Sequence, residues 1–381
     1  MNELVYLDNA ATSFPKPEEV INKITEYLSR YAANPGRSGH KLSLEAGKLV
    51  FETRELLSEL FNISDSSRII FTSNATESIN YVINSFLKEN DHIITTSVEH
   101  NSVMRPLRFI ERKKHIKIDV VKANRDGLIN PYHFKEFIKE NTKLIIINHA
   151  SNVTGVITPV EKIKKIVGNI PVLLDAAQTA GCIPIDVKKS GIDLLAFTGH
   201  KSLLGPSGIG GLYIGNNIDF EPVKMGGTGS NSELEKQPEF LPDKFESGTL
   251  NVTGIAGLCG SLKFLMKTKV ENIREKDKEL SGYFINKLLE LETVKIYGDL
   301  NIENRVPLIS INMKNRTSSE LCFKLDKEFN IMTRGGLHCA PAAHKTILTF
   351  PEGTLRFSSG FFNSEKDVDK TIEALYKISK N

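Results

Sequence analysis

The segment "FTGHKSLLGPSGIGGLYI", residues 197–214, sets His200 and Lys201 side by side in a glycine-rich stretch between two apolar runs. A lysine in a partly desolvated pocket gives up its proton more readily and becomes nucleophilic enough to form an imine. In a solvated loop the same lysine is an ordinary surface residue. Asp175, in "PVLLDAAQTAG", directly follows another apolar run. A carboxylate buried there needs a cation or hydrogen-bond donors, although aspartate also serves as a turn or cap residue. In "SNATESIN", Asn74 and Glu77 have capping-box spacing and Thr76 falls in the first helical turn. Free N–H groups and the helix dipole make such a helix start an anion site, and the same pattern also caps helices that bind nothing.

Together these three pieces make a chemical set. The helix start takes a phosphate. The aspartate keeps a pyridine nitrogen protonated, so that the ring acts as an electron sink. The lysine holds an aldehyde as a Schiff base. Those are the parts a pyridoxal 5'-phosphate site needs.

The elements that must position this set are legible as short apolar runs alternating with amphipathic stretches. "RIIFTS" precedes "ATESINYVINSFLKEN", "DHIITTSVEH" precedes "SVMRPLRFIERKK", and "KLIIINHAS" precedes "PVEKIKKIVGN". "PVLLDAAQ" is followed by "IDLLAFTGHK". Runs rich in Ile, Leu and Val without alternation fit parallel strands covered on both faces, joined by right-handed crossovers in an α/β fold. Ligands of open α/β sheets bind at the carboxyl ends of the strands. The polar residues that follow the runs are Asn74, Thr76, Glu77, Glu99, His100, Asn148, His149, Asn152, Asp175, Gln178, Thr198, His200 and Lys201. From about residue 260 the texture changes to a long, charged helical region, then short strands ("VPLISINM", "GTLRFSSG") and two further helices, which predicts a second, α+β unit. A cleft between two such units is a usual small-molecule site.

The totals narrow the function. The chain has 381 residues, is 40% hydrophobic and 25% charged, and carries a formal net charge of +3. With no basic block or arginine stripe, nucleic-acid binding lacks electrostatic support. The apolar runs are far shorter than the roughly 20 residues that span a bilayer, and the N-terminus has no signal-peptide pattern, so no membrane partner is expected. Cys182, Cys259, Cys322 and Cys339 are scattered without paired spacing, against a disulfide framework or a metal site. A reducing cytoplasm is the expected compartment. Three of these cysteines sit in apolar settings ("AGCIPI", "GLCGSL", "ELCFKL") and read as small core residues. Cys339, in "MTRGGLHCAPAAH", has Arg334, His338 and His344 nearby. A cationic neighbourhood favours thiolate, and the Gly-Gly before the cysteine and the proline after it predict an exposed, shaped loop.

The pieces "DAAQ", "GHK", "VEHNS", "SNVTG" and "RGGLHCAP" together resemble class V pyridoxal-phosphate enzymes, specifically the Suf-type cysteine desulfurases. The resemblance runs from "YLDNAAT" (6–12) to "GTLRFSSGFFNSEKDVD" (353–369). It implies a fold type I transferase in which residues 15–255 form a large α/β domain with a mainly parallel seven-stranded sheet. Residues 1–14 and 256–381 would form a smaller α+β domain carrying the cysteine loop and the substrate arginine. By resemblance, Lys201 anchors the cofactor, His100 stacks on the ring, Asp175 pairs with the ring nitrogen and Gln178 contacts the ring hydroxyl. Ala75, Thr76, Thr198 and His200 belong to the phosphate side. Asn152 touches the substrate beside the ring, and Arg356 clamps the substrate carboxylate. Thr249 and Asn251, in "GTLN", complete the phosphate site of a homodimer partner.

The implied reaction turns L-cysteine into L-alanine. Lys201 moves the Cα proton, His100 carries a proton, and Cys339 takes the sulfur as a persulfide for an acceptor protein, as in iron–sulfur cluster assembly. One departure stands out. Leu337 occupies the place of a second histidine before "HC", and His344 is an additional histidine after it. This marks a distinct subgroup, for which selenocysteine lysis, or another class V reaction without the thiol, is the alternative.

Overall fold

The computed structural model describes residues 4–36, 39–230, 233 and 235–380. A short strand, β1 (Val5–Tyr6), opens the chain. Then come β2 (Ile69–Thr72), β3 (His92–Thr96), β4 (Lys117–Val121), β5 (Thr142–Asn148), β6 (Val172–Asp175), β7 (Leu194–Thr198) and β8 (Gly210–Ile214). These seven form one sheet in the order β2-β8-β7-β6-β5-β3-β4. Only β8 runs antiparallel to its neighbours. The sheet is thus the mainly parallel, seven-stranded one expected.

Every residue of β2, β3, β6 and β7 is buried. This is why their sequences run apolar without a break: side chains on both faces meet a core. Ile145, Ile147, Leu174 and Leu195 point into one core, and Leu144, Ile146, Leu173 and Leu194 into the other. The glycines of "GIGGLY" answer to a close approach. A Cβ on Gly211 would lie 2.3 Å from the Phe197 ring, so no other residue fits between β7 and β8 there.

The second sheet is antiparallel and contains β9 (Val294–Tyr297), β10 (Leu308–Met313), β12 (Arg334–Gly336) and β13 (Thr354–Ser358), in the order β12-β13-β10-β9. The remaining strand, β11 (Ile331–Met332), pairs in parallel with β1, which stitches the N-terminus to the last third of the chain. A third core under this sheet includes Leu7, Phe284, Ile311, Leu325 and Phe357. The long helical region splits into two helices, Val252–Thr268 and Val270–Leu289. The break is Lys269, whose φ of 68° no α-helix accommodates. The first of the two packs on the helices Glu18–Arg30 and Lys41–Leu60 and sends Leu258, Cys259 and Leu262 into a core of the large sheet. Among the described residues no helix is long and apolar enough to cross a membrane.

Helix Val270–Leu289 buries one carboxyl group without a protein donor. Asp277 is 4% exposed and opens into a cavity of about 490 Å³ that Ser202, Cys182 and Ser359 also line. Burial pushes its pKa up to about 8, against the pull of Arg274 and Lys276. The folded state therefore holds this proton over a pH range in which the unfolded chain has released it. Asp277 costs stability progressively as pH rises from about 4 through about 8. Asp277→Asn is expected to raise Tm at pH 8 by about 3 °C or more and to leave it unchanged at pH 4, as read by calorimetry. Equal Tm values at pH 8 would show that the carboxyl is solvated in the cavity.

Candidate active site

The carboxyl ends of β3, β5, β6 and β7 open on one edge of the large sheet. The register sets Asn148 beside Asp175, and Asp175 beside Ala196. The turn after β7 then brings Lys201 back over Asp175. Helix Ala75–Ser85 begins at the same edge. Its cap is Asn74, whose Oδ1 accepts from the Glu77 N–H at 3.0 Å. Glu77 does not close the expected reciprocal box: its carboxylate takes the N–H and hydroxyl of Ser73 instead. The N–H groups of Ala75 and Thr76 are left without a protein acceptor, the condition for an anion site.

A pocket of about 500 Å³ lies between these parts. It brings together Ala75, Thr76, His100, Asn152, Asp175, Gln178, Thr198, His200 and Lys201, nine residues expected from sequence. Arg356 and Cys339 adjoin it through Asn152. The Asn152 carbonyl accepts from Arg356 Nη1 at 3.2 Å, and its Nδ2 donates to the His338 carbonyl at 2.7 Å. Thr249 is exposed and lies outside the pocket of its own chain, while Asn251 caps the helix Val252–Thr268 by accepting from the Gly254 N–H at 3.0 Å.

Burial sets the protonation states. It lowers the pKa of Lys201 to about 8, against the opposing field of Asp175. It raises that of Asp175, with the Ala177 N–H, 3.0 Å from Oδ1, pulling the other way. It lowers His100 to about 4, helped by the positive charge of Lys201. The His100 ring is therefore neutral at neutral pH. Its Nδ1 accepts from the Ser102 N–H at 3.0 Å, so the proton sits on Nε2. Behind Asp175, Glu99 is fully buried and is pushed up to about 8, first by desolvation. Lys16 reaches in from the N-terminal segment and donates to the His200 carbonyl at 3.0 Å.

Three polar atoms facing this region are buried without a partner: Thr198 Oγ1, His200 Nδ1 and Asn152 Oδ1. Orphaned atoms of this kind are rare in folded proteins and call for a polar guest. Thr198 Oγ1 and His200 Nδ1, with the free N–H groups of Ala75 and Thr76, make an end of the pocket suited to an anion, while Asn152 lies toward Arg356 and His338. Asp175 and the Lys201 amine make the other end. A phosphorylated pyridine aldehyde fits that donor set.

The loop carrying Cys339 is built differently from the sequence expectation. His338 and Cys339 both lie in the left-handed region, with φ of 49° and 55°. Such residues persist only where the surroundings hold them. Here the Cys339 carbonyl accepts from the Asn101 N–H at 2.8 Å, and the Ala340 N–H donates to Leu337 at 2.8 Å. The His338 ring is clamped from behind by a one-way chain. Thr349 Oγ1 donates to His344 Nδ1 at 2.7 Å, His344 Nε2 to His338 Nδ1 at 3.3 Å, and His338 Nε2 to the Arg334 carbonyl at 3.1 Å. This direction is the one in which all four nitrogens are satisfied.

Burial holds His338 at about 3 and His344 at about 4, so neither is the cation beside the thiol that its position in the sequence predicted. Lys201 and Arg356 both interact electrostatically with Cys339. Cys339 itself is exposed. Arg356 is 2% exposed and pairs through Nη2 with Asp8 Oδ1 at 2.8 Å, while its Nε has no partner. Asp8 and Asn101 were not singled out from sequence as site residues. The signal for Asp8 was its place in "YLDNAAT", which its bridge to Ser358 of β13, together with the β1–β11 pairing, brings to Arg356. Asn101 contributes a backbone N–H, which leaves no signature in residue type.

Comparison with known proteins places this geometry. The class-V aminotransferase family model matches residues 5–371. A probable cysteine desulfurase of Borreliella burgdorferi is 38% identical, over 99% of this chain and 92% of its own. One from Pyrococcus abyssi is 35% identical, over 100% of this chain and 95% of its own. Among solved structures, the apo cysteine desulfurase of Thermococcus onnurineus superposes with a TM-score of 0.92 at 32% identity, covering 99% of this chain and 95% of that one. A family model over nearly the whole chain, with full-length relatives above 30% identity, makes the chain a member of the class-V aminotransferase family, with its fold type I architecture.

Proposed function

We propose that the chain is a pyridoxal-phosphate-dependent cysteine desulfurase. The observation that carries this reading is one juxtaposition. A half-buried lysine with a depressed pKa shares a pocket with a buried aspartate, and an exposed cysteine on a braced loop adjoins the same pocket.

Ala75, Thr76, Thr198 and His200 would hold the phosphate of the cofactor, Asp175 its ring nitrogen, Gln178 and His100 its ring, and Lys201 its aldehyde carbon. When bound, the cofactor would supply an electron sink for the pair left when the substrate Cα–H bond breaks. The remaining work falls to the chain. Arg356 receives the substrate carboxylate, and its planar guanidinium suits that bidentate task. Lys201, displaced by the substrate amine, takes the Cα proton on Nζ. Burial favours the neutral amine, which makes it a base near its own pKa of about 8. His100 presents Nε2–H as a proton source. Cys339 Sγ attacks the substrate sulfur, whose bond to Cβ breaks. The carbon fragment regains protons and leaves as L-alanine, and Cys339 keeps the sulfur as a persulfide. An acceptor thiol then removes that sulfur, which balances the cycle.

Thr249, exposed on its own chain, supports a homodimer in which it serves the partner's phosphate side. We propose a division of the chain at about 255 into a large unit (15–255) and a small one (1–14 with 256–381), with the helix Val252–Thr268 crossing it. Four free cysteines suit a reducing compartment, and we assign the cytoplasm.

The test is wild-type protein loaded with pyridoxal phosphate and given L-cysteine and dithiothreitol, with alanine and sulfide both quantified. Equal amounts of each are expected. Absence of both from a yellow, loaded protein would sink the reading. A parallel reaction with L-selenocysteine assigns the preferred substrate.

The histidine chain yields a prediction of its own. His344→Ala removes the brace behind His338, and a displacement of about 1 Å at Cys339 costs about a hundredfold in a positioned reaction. Sulfide release is expected to fall about ten- to a hundredfold while cofactor binding is retained. The alkylation rate of Cys339 as a function of pH would shift in the same variant. An unchanged profile and rate would show that the loop stands without the brace.

A further inference from the structure

We propose that the groove beside the Cys339 loop, walled by Pro341 and Ala342, is the docking site of the sulfur acceptor, and that it selects an acceptor whose thiol is flanked by acidic residues. This rests on the desulfurase reading. The groove, about 1180 Å³, is bounded by the ends of β3 and β4, by the helix Asn101–Lys113 and by the helix Pro341–Thr346. Its lining includes Met104, Arg108, Lys122, Pro341, Ala342 and Lys345.

Two observations tie it to the thiol. Pro341 and Ala342 follow Cys339 directly along the chain after Ala340. The Cys339 carbonyl is held by the Asn101 N–H, the first residue of the helix that carries Met104 and Arg108. Positions 101, 104 and 108 share one helical face, so this wall leads away from the thiol for about 10 Å.

The charge is one-sided. Three cations line the groove and no carboxylate does. Arg108 is partly neutralised by Glu111, with both oxygens at 2.9 Å. Lys122 and Lys345 are exposed and have no carboxylate partner among the described residues, and Lys345 lies over the Phe350 ring at 5.0 Å. Arg105, also exposed, extends the positive edge toward the pocket and acts on His100. The net charge of the whole chain is only +3, so this face is not a sample of the average surface. Between the cations lie the small apolar surfaces of Met104, Ala123 and Ala342, enough for the stem of a peptide segment.

The transfer itself is balanced. The acceptor thiolate attacks the outer sulfur of the Cys339 persulfide, the sulfur–sulfur bond to Cys339 breaks, and Cys339 leaves as thiolate. The acceptor becomes the persulfide, with no net oxidation.

The probe is a fluorescein-labelled peptide with one cysteine between aspartates and glutamates, set against its lysine counterpart. Loaded wild-type protein is compared with the double variant Lys122→Glu, Lys345→Glu. Both positions are exposed and neither belongs to the catalytic set. The expected result has three parts. Wild type binds the acidic peptide about tenfold more tightly than the basic one at low salt. It passes sulfur to the acidic peptide with the same preference. The double variant loses both preferences and keeps its alanine production with dithiothreitol. Raising salt should erase the wild-type preference.

Equal binding of the two peptides by wild type, or a preference that survives in the double variant, overturns the proposal. Displacement of the acidic peptide by single-stranded RNA at lower concentration than by unlabelled peptide overturns it too. Failure of the desulfurase reading shows elsewhere, as absence of alanine with dithiothreitol, and leaves the binding comparison to decide whether the groove selects acidic segments.

Discussion

Lys201→Ala is expected to bind no covalently held cofactor, to lack the yellow colour of the loaded protein, and to lose at least about 10⁴-fold in alanine formation. Lys201 is the one amine that lines the pocket beside Asp175. Lys16, the next amine, is spent on the His200 carbonyl and the Ser13 hydroxyl, at 3.0 Å and 2.7 Å. The variant should still fold. Burial lowers the Lys201 pKa to about 8, so the folded state binds fewer protons than the unfolded chain between about pH 8 and 10.5. The stability cost of protonating this amine therefore grows as pH falls through that window and is complete below it. Removing the amine should leave Tm at pH 7 unchanged or raised. A second readout needs no turnover. Cofactor-free wild type should take up pyridoxal phosphate faster as pH rises, levelling above about 8, because the neutral amine is the nucleophile. A colourless variant with a normal Tm supports the assignment. A yellow variant with full activity removes Lys201 from the chemistry.

The second large effect is expected at the thiol. Cys339→Ala should keep the yellow colour and lose about a thousandfold in sulfide and alanine from L-cysteine. The substrate sulfur then has no nucleophile at the pocket mouth, and none of the other cysteines replaces it. Cys182 is buried and held up to about 12 by desolvation, far from thiolate. Cys259 is buried and also raised. Cys322 donates to the Thr333 carbonyl at 3.3 Å beneath the second sheet. After reaction with L-cysteine and blocking of free thiols, wild type should carry one extra sulfur atom on Cys339, located by peptide mass. Activity of Cys339→Ala with L-selenocysteine but not with L-cysteine would mark a lyase in which the better leaving group needs no thiol. Full activity with L-cysteine would overturn the persulfide route.

Strand identity and the residues that line the pocket at the large sheet could be read from the chain before any coordinates. The reason is local. A strand buried on both faces must be apolar throughout, so "LIIIN", "VLLD" and "LLAFT" announce themselves, and the polar residue after each run falls at the carboxyl end. Thr198, His200, Lys201 and Asp175 were legible in that way. The helix cap at Asn74 was equally local, down to the N–H it accepts.

Other features depended on contacts between distant segments, and no local pattern encodes them. Asp8 meets Arg356 because the segment after β1 bridges β13 at Ser358 while β1 pairs with β11, both more than 300 residues along the chain. The break at Lys269 is a single backbone angle inside an otherwise continuous helical pattern. The histidines around Cys339 read as cations in sequence, because residue type records a possible charge and not the desolvation that forbids it. In three dimensions they are buried, neutral and joined in a chain, and the cations Lys201 and Arg356, from distant segments, are the ones that interact with the thiol. The sequence by itself determined which groups the proposed chemistry draws on. The tertiary structure decided which of them are charged, because burial depends on everything that packs around a group and not on its neighbours along the chain.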